Sequence, residues 1–334
     1  MADVFDVLSE KLSEVVCFGK ETLSDVEDFI PTGCYVLDKI IGGGIPEKRI
    51  TEIFGDESTG KSTLGLSILR QAQLKADYYV PVLIDTETSY DTNRAVQLGL
   101  DTNRLLYSDL DTIEDVFDLM TKVAKEAKKA NKKARTVIVW DSLAATTTKA
   151  ELEGVVGDSQ YGLHARLLSQ GFRMYRRIIS EYDVTLIVLN QTRQNIQTFG
   201  YGPHYTTFGG KALKFYSSVR IRLRVVEKVK QGDNINAVKV EAETVKNKIY
   251  APFKKVRFYI DFNEGIDNIS STLDYAIQEG FVEKKGGWYE YKGKKYRGVE
   301  LVNYFKENVD ELYNLIGGVN EEYKEQKIEQ RSRR

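Results

Sequence analysis

The stretch Gly55, Asp56, Glu57, Ser58, Thr59, Gly60, Lys61 and Ser62, with Thr63 next, limits what this chain can fold into more than any other. It has the spacing G-x-x-x-x-G-K-[ST] of a phosphate-binding loop. A β-branched run, Arg49 to Phe54, precedes it, and a helical pattern carrying Leu64, Leu66, Ile68 and Leu69 follows. Glycines let successive backbone N–H groups turn toward one anion, and the following helix adds its positive N-terminal end. In that geometry Lys61 reaches the β and γ phosphates of a nucleotide and Ser62 ligates Mg2+. Such a loop works between a strand and a helix, so it commits the chain to an α/β core.

Three further apolar runs, Val80 to Asp85, Thr136 to Asp141 and Val184 to Asn190, alternate with stretches long enough for helices at 61–75, 91–98, 113–130 and 162–181. Strands apolar on both faces and separated by helices predict a mostly parallel sheet covered on both sides. The runs 219–226, 237–245 and 255–260 follow without helices and alternate with period two, which predicts antiparallel strands extending the sheet. Beyond Gly265 come short helical pieces around Leu273, Ala276 and Ile277 and a Gly/Lys-rich stretch. We therefore expect four parts: an N-terminal helical segment over 1–32, a nucleotide-binding core over 33–265, a small C-terminal α+β domain over 266–320 and a tail over 321–334. In the first part Val4, Phe5, Leu8, Leu12, Val15 and Val16 recur mostly at helical spacing. Their apolar face is buried either on its own domain or on another subunit.

The chain's 334 residues are 42% hydrophobic and 29% charged, enough apolar material for a core and too much for a disordered chain. Lys plus Arg (48) nearly balance Asp plus Glu (49), so no global field draws nucleic acid, and any anion site must come from local clustering. Cys17 and Cys34, with two His, do not make a disulfide framework or a ready zinc site. The first ten residues carry acids where a secretory leader needs a basic end, and no apolar run approaches the roughly 20 residues of a membrane span. The expectation is a soluble, cytoplasmic protein with no membrane partner.

A nucleotide hydrolase also needs an acid at the end of a neighbouring strand to hold the metal, directly or through water, and Asp141 closes Thr136 to Asp141 in that position. Attack by water needs a group that orients or deprotonates it. Glu87, just past the strand ending at Asp85, is the candidate, with Asp85 the competitor two residues back. Gln191 follows a third strand at the same edge, where a neutral amide can sense a phosphate without repelling it.

Charge clustering points to a second ligand. From Gln191 to Val226 there is no acid, while Arg193, Lys211, Lys214, Arg220, Arg222 and Arg224 are basic. The same segment holds Ile196, Phe199, Tyr201, Tyr205 and Phe208 among Gly200, Gly202, Gly209 and Gly210. Glycines and aromatic rings without acids suit a mobile loop that orders on a polyanion, with rings available to bases; an ordinary long loop is the alternative. We set Arg222 and Arg224 aside as part of an amphipathic strand. Ser159 to Ser180 is also acid-free, and Arg166, Ser169, Arg173 and Arg177 share one helical face. That face either meets phosphates or is simply solvated.

Taken together, these segments resemble the bacterial RecA recombinase family. The stretch from Thr32 to Thr63 resembles its first strand and nucleotide loop, and Glu151 to Gln170 its first DNA loop and following helix. Gly209 to Arg220 and Thr244 to Phe253 are similar to it again, so the likeness covers about residues 30–310. The resemblance implies a RecA-type P-loop ATPase core that builds a helical filament on single-stranded DNA, pairs it with homologous double-stranded DNA, and binds ATP and Mg2+ between protomers. It implies that Glu87 activates water, that Gln191 couples the γ phosphate to the second DNA loop, and that Lys246 and Lys248 reach the neighbour's nucleotide. Lysines at i and i+2 share one face of a strand, the geometry a phosphate clamp needs. It further implies that Arg166, Ser169, Arg173, Gly209, Gly210 and Lys211 line the DNA path, and that the N-terminal helix and Phe215 dock on the adjacent subunit.

The chain departs from the family pattern at Arg94, which follows the matching Asp91 where a tyrosine commonly meets adenine; a guanidinium also stacks on a base. Lys211 stands where asparagine is usual, the second loop is one residue longer, and an acidic tail is missing. Two other readings keep the nucleotide loop: a ring-forming ATPase motor of the helicase class, and a non-catalytic DNA-coating protein that uses ATP as an assembly switch.

Overall fold

Alternate residues of the central strands enter different cores, which is what makes their sequences apolar throughout. Val137, Val139, Ile187 and Leu189 face one side of the sheet, and Ile138, Trp140, Leu186 and Val188 the other. The computed structural model describes residues 26, 28–154, 162–194 and 205–317. A two-residue pair, β1 (Phe29–Ile30) with β2 (Ile45–Pro46), and the short helix α1 (Tyr35–Ile41) lead into the main sheet.

That sheet contains β3 (Ile50–Gly55), β4 (Tyr79–Asp85), β5 (Leu106–Asp109), β6 (Arg135–Asp141), β7 (Val184–Gln194), β8 (Tyr205–Thr207), β9 (Val219–Gln231), β10 (Asn234–Asn247), β11 (Lys255–Asp261) and β12 (Gly265–Asp267). The order is β12-β11-β10-β9-β3-β7-β6-β4-β5, with β8 paired to β7 off this path. From β9 to β5 every pairing is parallel, so the loops after β3, β4, β6 and β7 gather at one edge. This is the edge where open α/β sheets bind ligands.

One expectation needs correction here. The run 219–226 is not purely antiparallel: β9 pairs parallel with β3 and antiparallel with β10, so the change of direction falls one strand later. Its alternating arginines mislead because β9 is apolar on one face only. The strand β5 escaped the sequence reading, since its burial is low and it has only four residues at the sheet margin.

Helix α2 (Lys61–Lys75) covers one face, burying Leu64, Ile68 and Leu69; α4 (Ile113–Ala130) and α6 (Leu163–Glu181) cover the other. The short helices α3 (Thr92–Gln97), α5 (Lys149–Glu153) and α7 (Ala212–Tyr216) lie in the connections. Phe117 of α4 packs edge-on against Trp140 and Phe172, knitting both helices to the sheet. The C-terminal region has α8 (Asn268–Gln278), α9 (Gly298–Glu307) and α10 (Val309–Leu315) around a small antiparallel sheet of β13 (Glu283–Lys285), β14 (Trp288–Tyr291) and β15 (Lys294–Tyr296). Its Leu273, Leu301, Phe305 and Leu312 belong to the same buried cluster as α2.

Candidate active site and nucleic-acid interface

The phosphate-binding loop begins at the last residue of β3. Gly60, at φ 85°, closes it and has only Ile260 across from its missing side chain. A left-handed residue is needed there to turn the strand into α2, and glycine adopts it without strain. A cavity of about 330 Å³ opens at the strand edge, lined by Glu57 through Thr63 with Glu87, Asp141 and Gln191. Four strands, β3, β4, β6 and β7, thus deliver the residues expected of a nucleotide site into one space.

Lys61 is buried, and its Nζ donates to the carbonyls of Gly55 at 3.1 Å and Asp56 at 2.7 Å. Burial pushes its pKa down, while the carboxylates of Asp141 and Glu87 hold it up. Burial pushes the Asp141 carboxyl up to about 6, against a Ser62 hydrogen bond that lowers it, and Glu87 and Asp85 add repulsion. A desolvated carboxylate and a hydroxyl side by side are the oxygen donors a hard divalent cation takes, and Mg2+ fits this pair with phosphate and water completing its shell. The loop's inward N–H groups and the buried ammonium fit the phosphates of a nucleotide.

Glu87 stands on a turn built by Asp85. The buried Asp85 carboxylate accepts the N–H groups of Glu87 at 3.1 Å, Ser89 at 2.8 Å and Tyr90 at 2.8 Å. This separates the two competing acids: Asp85 is consumed by the backbone, and Glu87 is free to face the cavity. Its Oε1 accepts from Gln191 Nε2 at 3.1 Å and from the Ser142 hydroxyl. Ser142, joined to Asp141 by a cis peptide, was not expected from sequence. The only signal for it was a hydroxyl residue directly after the metal-site acid. Thr86 ties this corner together, donating to the Ser142 carbonyl at 2.6 Å and accepting from its N–H at 3.0 Å.

The residues expected at a nucleotide base have partners within the chain. Asp91 caps α3, accepting the Arg94 N–H at 2.7 Å, and the Arg94 guanidinium reaches the Asn263 carbonyl at 2.9 Å. Exposed Phe262, adjacent to that carbonyl, gave no sign in the sequence, because its neighbourhood to α3 depends on the β11–β12 turn.

Lys246 and Lys248 stand two residues apart where β10 ends, with different surroundings. A register shift falls between Thr244 and Lys246, and β10 ends at Asn247. Lys246 is half-buried with its Nζ on the carbonyls of Lys214 at 2.6 Å and Phe215 at 3.1 Å, whereas Lys248 is exposed. Burial lowers the Lys246 pKa to about 8, with Lys248 and Arg220 adding repulsion. Across the sheet Lys246 aligns with Arg220 and Glu52, on the strand-start side of Gly55, and neither lysine lines the cavity.

On the basic face, Arg166 and Arg173 are exposed and Ser169 half-buried along α6, whose opposite side buries Leu168, Phe172, Tyr175 and Ile179. Gly209 and Gly210, at φ 86° and 64°, pack beside Leu168 and Ala165, so the return of the second loop joins the α6 surface. Lys211 is exposed at the start of α7, and Phe215 on that helix is 69% exposed. The guanidinium of Arg193 lies 3.5 Å from the ring centre of Phe208, bracing the two limbs of the loop's neck. Arg222 stacks on Tyr205 and Arg224 pairs with Glu241. Ile196 and Phe199 of the loop, and Phe5, Leu8 and Leu12 of the N-terminal segment, lie outside the described residues.

Residues 10–267 match the family of the RecA N-terminal domain. The chain is 42% identical over 282 residues to Protein RecA of Nitratiruptor sp., covering 84% of this chain and 79% of that one. It is 41% identical over 302 residues to Protein RecA of Nautilia profundicola, covering 88% and 82%. Against Protein RecA of Campylobacter hominis the identity is 39% over 315 residues, covering 91% and 88%.

Proposed function

This chain belongs to the RecA family, and from that premise we propose that it is an ATP-dependent recombinase that assembles on single-stranded DNA and exchanges strands with a homologous duplex. One observation carries the reading best: the cavity that gathers the phosphate loop, Asp141 and Glu87 is also lined by Gln191, on the strand that runs into the basic loop. A nucleotide there and DNA on that loop share one strand. ATP is the substrate whose hydrolysis loosens the filament, and Ser62 and Asp141 would hold the Mg2+ that would neutralise phosphate charge.

The chain's own residues supply the rest. The loop N–H groups and Lys61 bind phosphate, Lys61 leaving the carbonyls of Gly55 and Asp56 to do so. Glu87, oriented by Gln191 and Ser142, takes the proton of the attacking water. Gln191, shared between Glu87 and the incoming phosphate, reports the nucleotide to the strand behind it. Asp91 and Arg94 meet the base. Lys246 and Lys248 reach the nucleotide of an adjacent protomer, since they lie away from their own. Phe215, with the N-terminal segment, docks on that neighbour. Arg166, Ser169, Arg173, Arg193, Gly209, Gly210 and Lys211 hold DNA mainly through its backbone, which leaves sequence selection to base pairing. No described helix is long and apolar enough to cross a membrane. As a DNA-pairing ATPase the protein would act in the cytoplasm.

Strand exchange between circular single strands and homologous linear duplex tests the reading. We expect joint molecules with ATP and none without it. Electron microscopy with a slowly hydrolysed ATP analogue should show helical filaments; closed rings and no joint molecules would assign the chain to motor ATPases instead.

A further inference from the structure

One side-chain contact beside the cavity joins the two elements whose coupling an ATP-driven DNA filament requires. Strands β3 and β7 run parallel with Gly55 opposite Gln191. The next residues, Asp56 and Thr192, therefore face each other where the strands diverge, one into the phosphate loop and the other toward residues 195–204. There the Thr192 hydroxyl donates to the Asp56 carboxylate. Asp56 also grips the loop from within, its backbone carbonyl accepting from Lys61 Nζ at 2.7 Å and Thr59 Oγ1 at 2.9 Å. Thr192 pairs with Thr207 of β8 and so sits at the neck through which the chain leaves and returns. Its neighbours act elsewhere, Gln191 on Glu87 and Arg193 on Phe208.

We propose that Asp56 and Thr192 form a latch that holds the neck of the DNA loop against the phosphate loop until nucleotide arrives. The idea rests on the function proposed above. When Lys61 turns to the phosphates, the Asp56 carbonyl loses its strongest donor and the Asp56 carboxylate is left beside new negative charge. Near a protein surface that repulsion is of the same order as a solvent-exposed hydrogen bond, so the contact is poised to open. Opening releases the neck. Nucleotide and DNA then both favour the open arrangement, and each strengthens the other's binding by the same factor.

Affinity for a single-stranded oligonucleotide, measured on the full chain with and without a slowly hydrolysed ATP analogue, tests this. Thr192→Val removes the hydroxyl but keeps the shape. It should tighten nucleotide-free DNA binding by about fivefold, leave binding with analogue unchanged, and tighten analogue binding without DNA by the same factor. Thr192→Ser should behave as wild type, and Thr192→Val should have no effect in an Asp56→Ala background. A structural defect would weaken binding, so a gain of affinity is the distinguishing sign. Unchanged or weaker binding in Thr192→Val, or an equal gain in the Asp56→Ala background, would overturn the latch alone. A wild type whose DNA affinity ignores the analogue would overturn the proposed function and the latch together.

Discussion

The strand edge that carries the phosphate loop and the region around the end of β10 are the two places we assign to phosphate, yet they are finished to different degrees. At the first, Lys61, Ser62, Asp141, Glu87 and Gln191 already surround a common cavity, each with a partner from another strand or loop. At the second, Lys246 is parked on the backbone carbonyls at the end of α7 and Lys248 is exposed, and neither lines that cavity. The first region can bind a nucleotide within one chain. The second carries its charge away from that cavity, and we propose the neighbour's nucleotide as its ligand. On the proposed reading, a site divided in this way would make hydrolysis depend on assembly.

The comparison can be broken at several points. The largest effect should come from Glu87→Gln, which keeps the size and hydrogen-bonding reach of the side chain but not its basicity. We expect DNA-dependent ATP turnover to fall by roughly 10²–10⁴-fold with analogue binding retained, the range for losing a general base. Turnover within a few-fold of wild type would remove Glu87 from that role.

Next comes Lys248→Ala, with an expected loss of about 10²–10³-fold in assembled filaments, as for removal of one transition-state donor. Mixing it equally with Lys61→Ala should restore activity at about one quarter of the interfaces, because in a head-to-tail assembly each site needs a phosphate loop from one chain and a clamp from the next. Absence of any recovery, with mixed filaments seen by microscopy, would place the lysines outside the neighbour's site.

The smallest effect should be Arg173→Ala. It should weaken single-strand binding a few-fold and reduce the magnitude of the salt slope by about 0.7, the share of one phosphate contact. Affinity and slope both unchanged would return Arg173 to the solvated face of α6.

Much of this was legible in the chain. The phosphate loop is local in sequence, and its flanking strand and helix lie where the apolar runs put them. Glu87 and Asp141 could be read because each follows a strand apolar on both faces, and strand ends gather at one edge of a parallel sheet. The choice of Glu87 over Asp85 was another matter. It turns on three N–H groups converging on Asp85, and backbone direction in a turn is not written in side-chain type. Ser142, the Asp56–Thr192 contact and the neighbourhood of Arg94 with Asn263 were equally hidden, since each joins residues at least 55 positions apart.

By itself the sequence determined that this chain folds as a nucleotide-binding α/β protein, because a phosphate loop and the period of apolar residues are properties of short segments. Tertiary structure decided which acid faces the cavity, which lysines stay away from it, and which residue of the phosphate loop touches Thr192 of β7. Those outcomes depend on strand order and register, which bring distant residues to one edge or keep near ones apart.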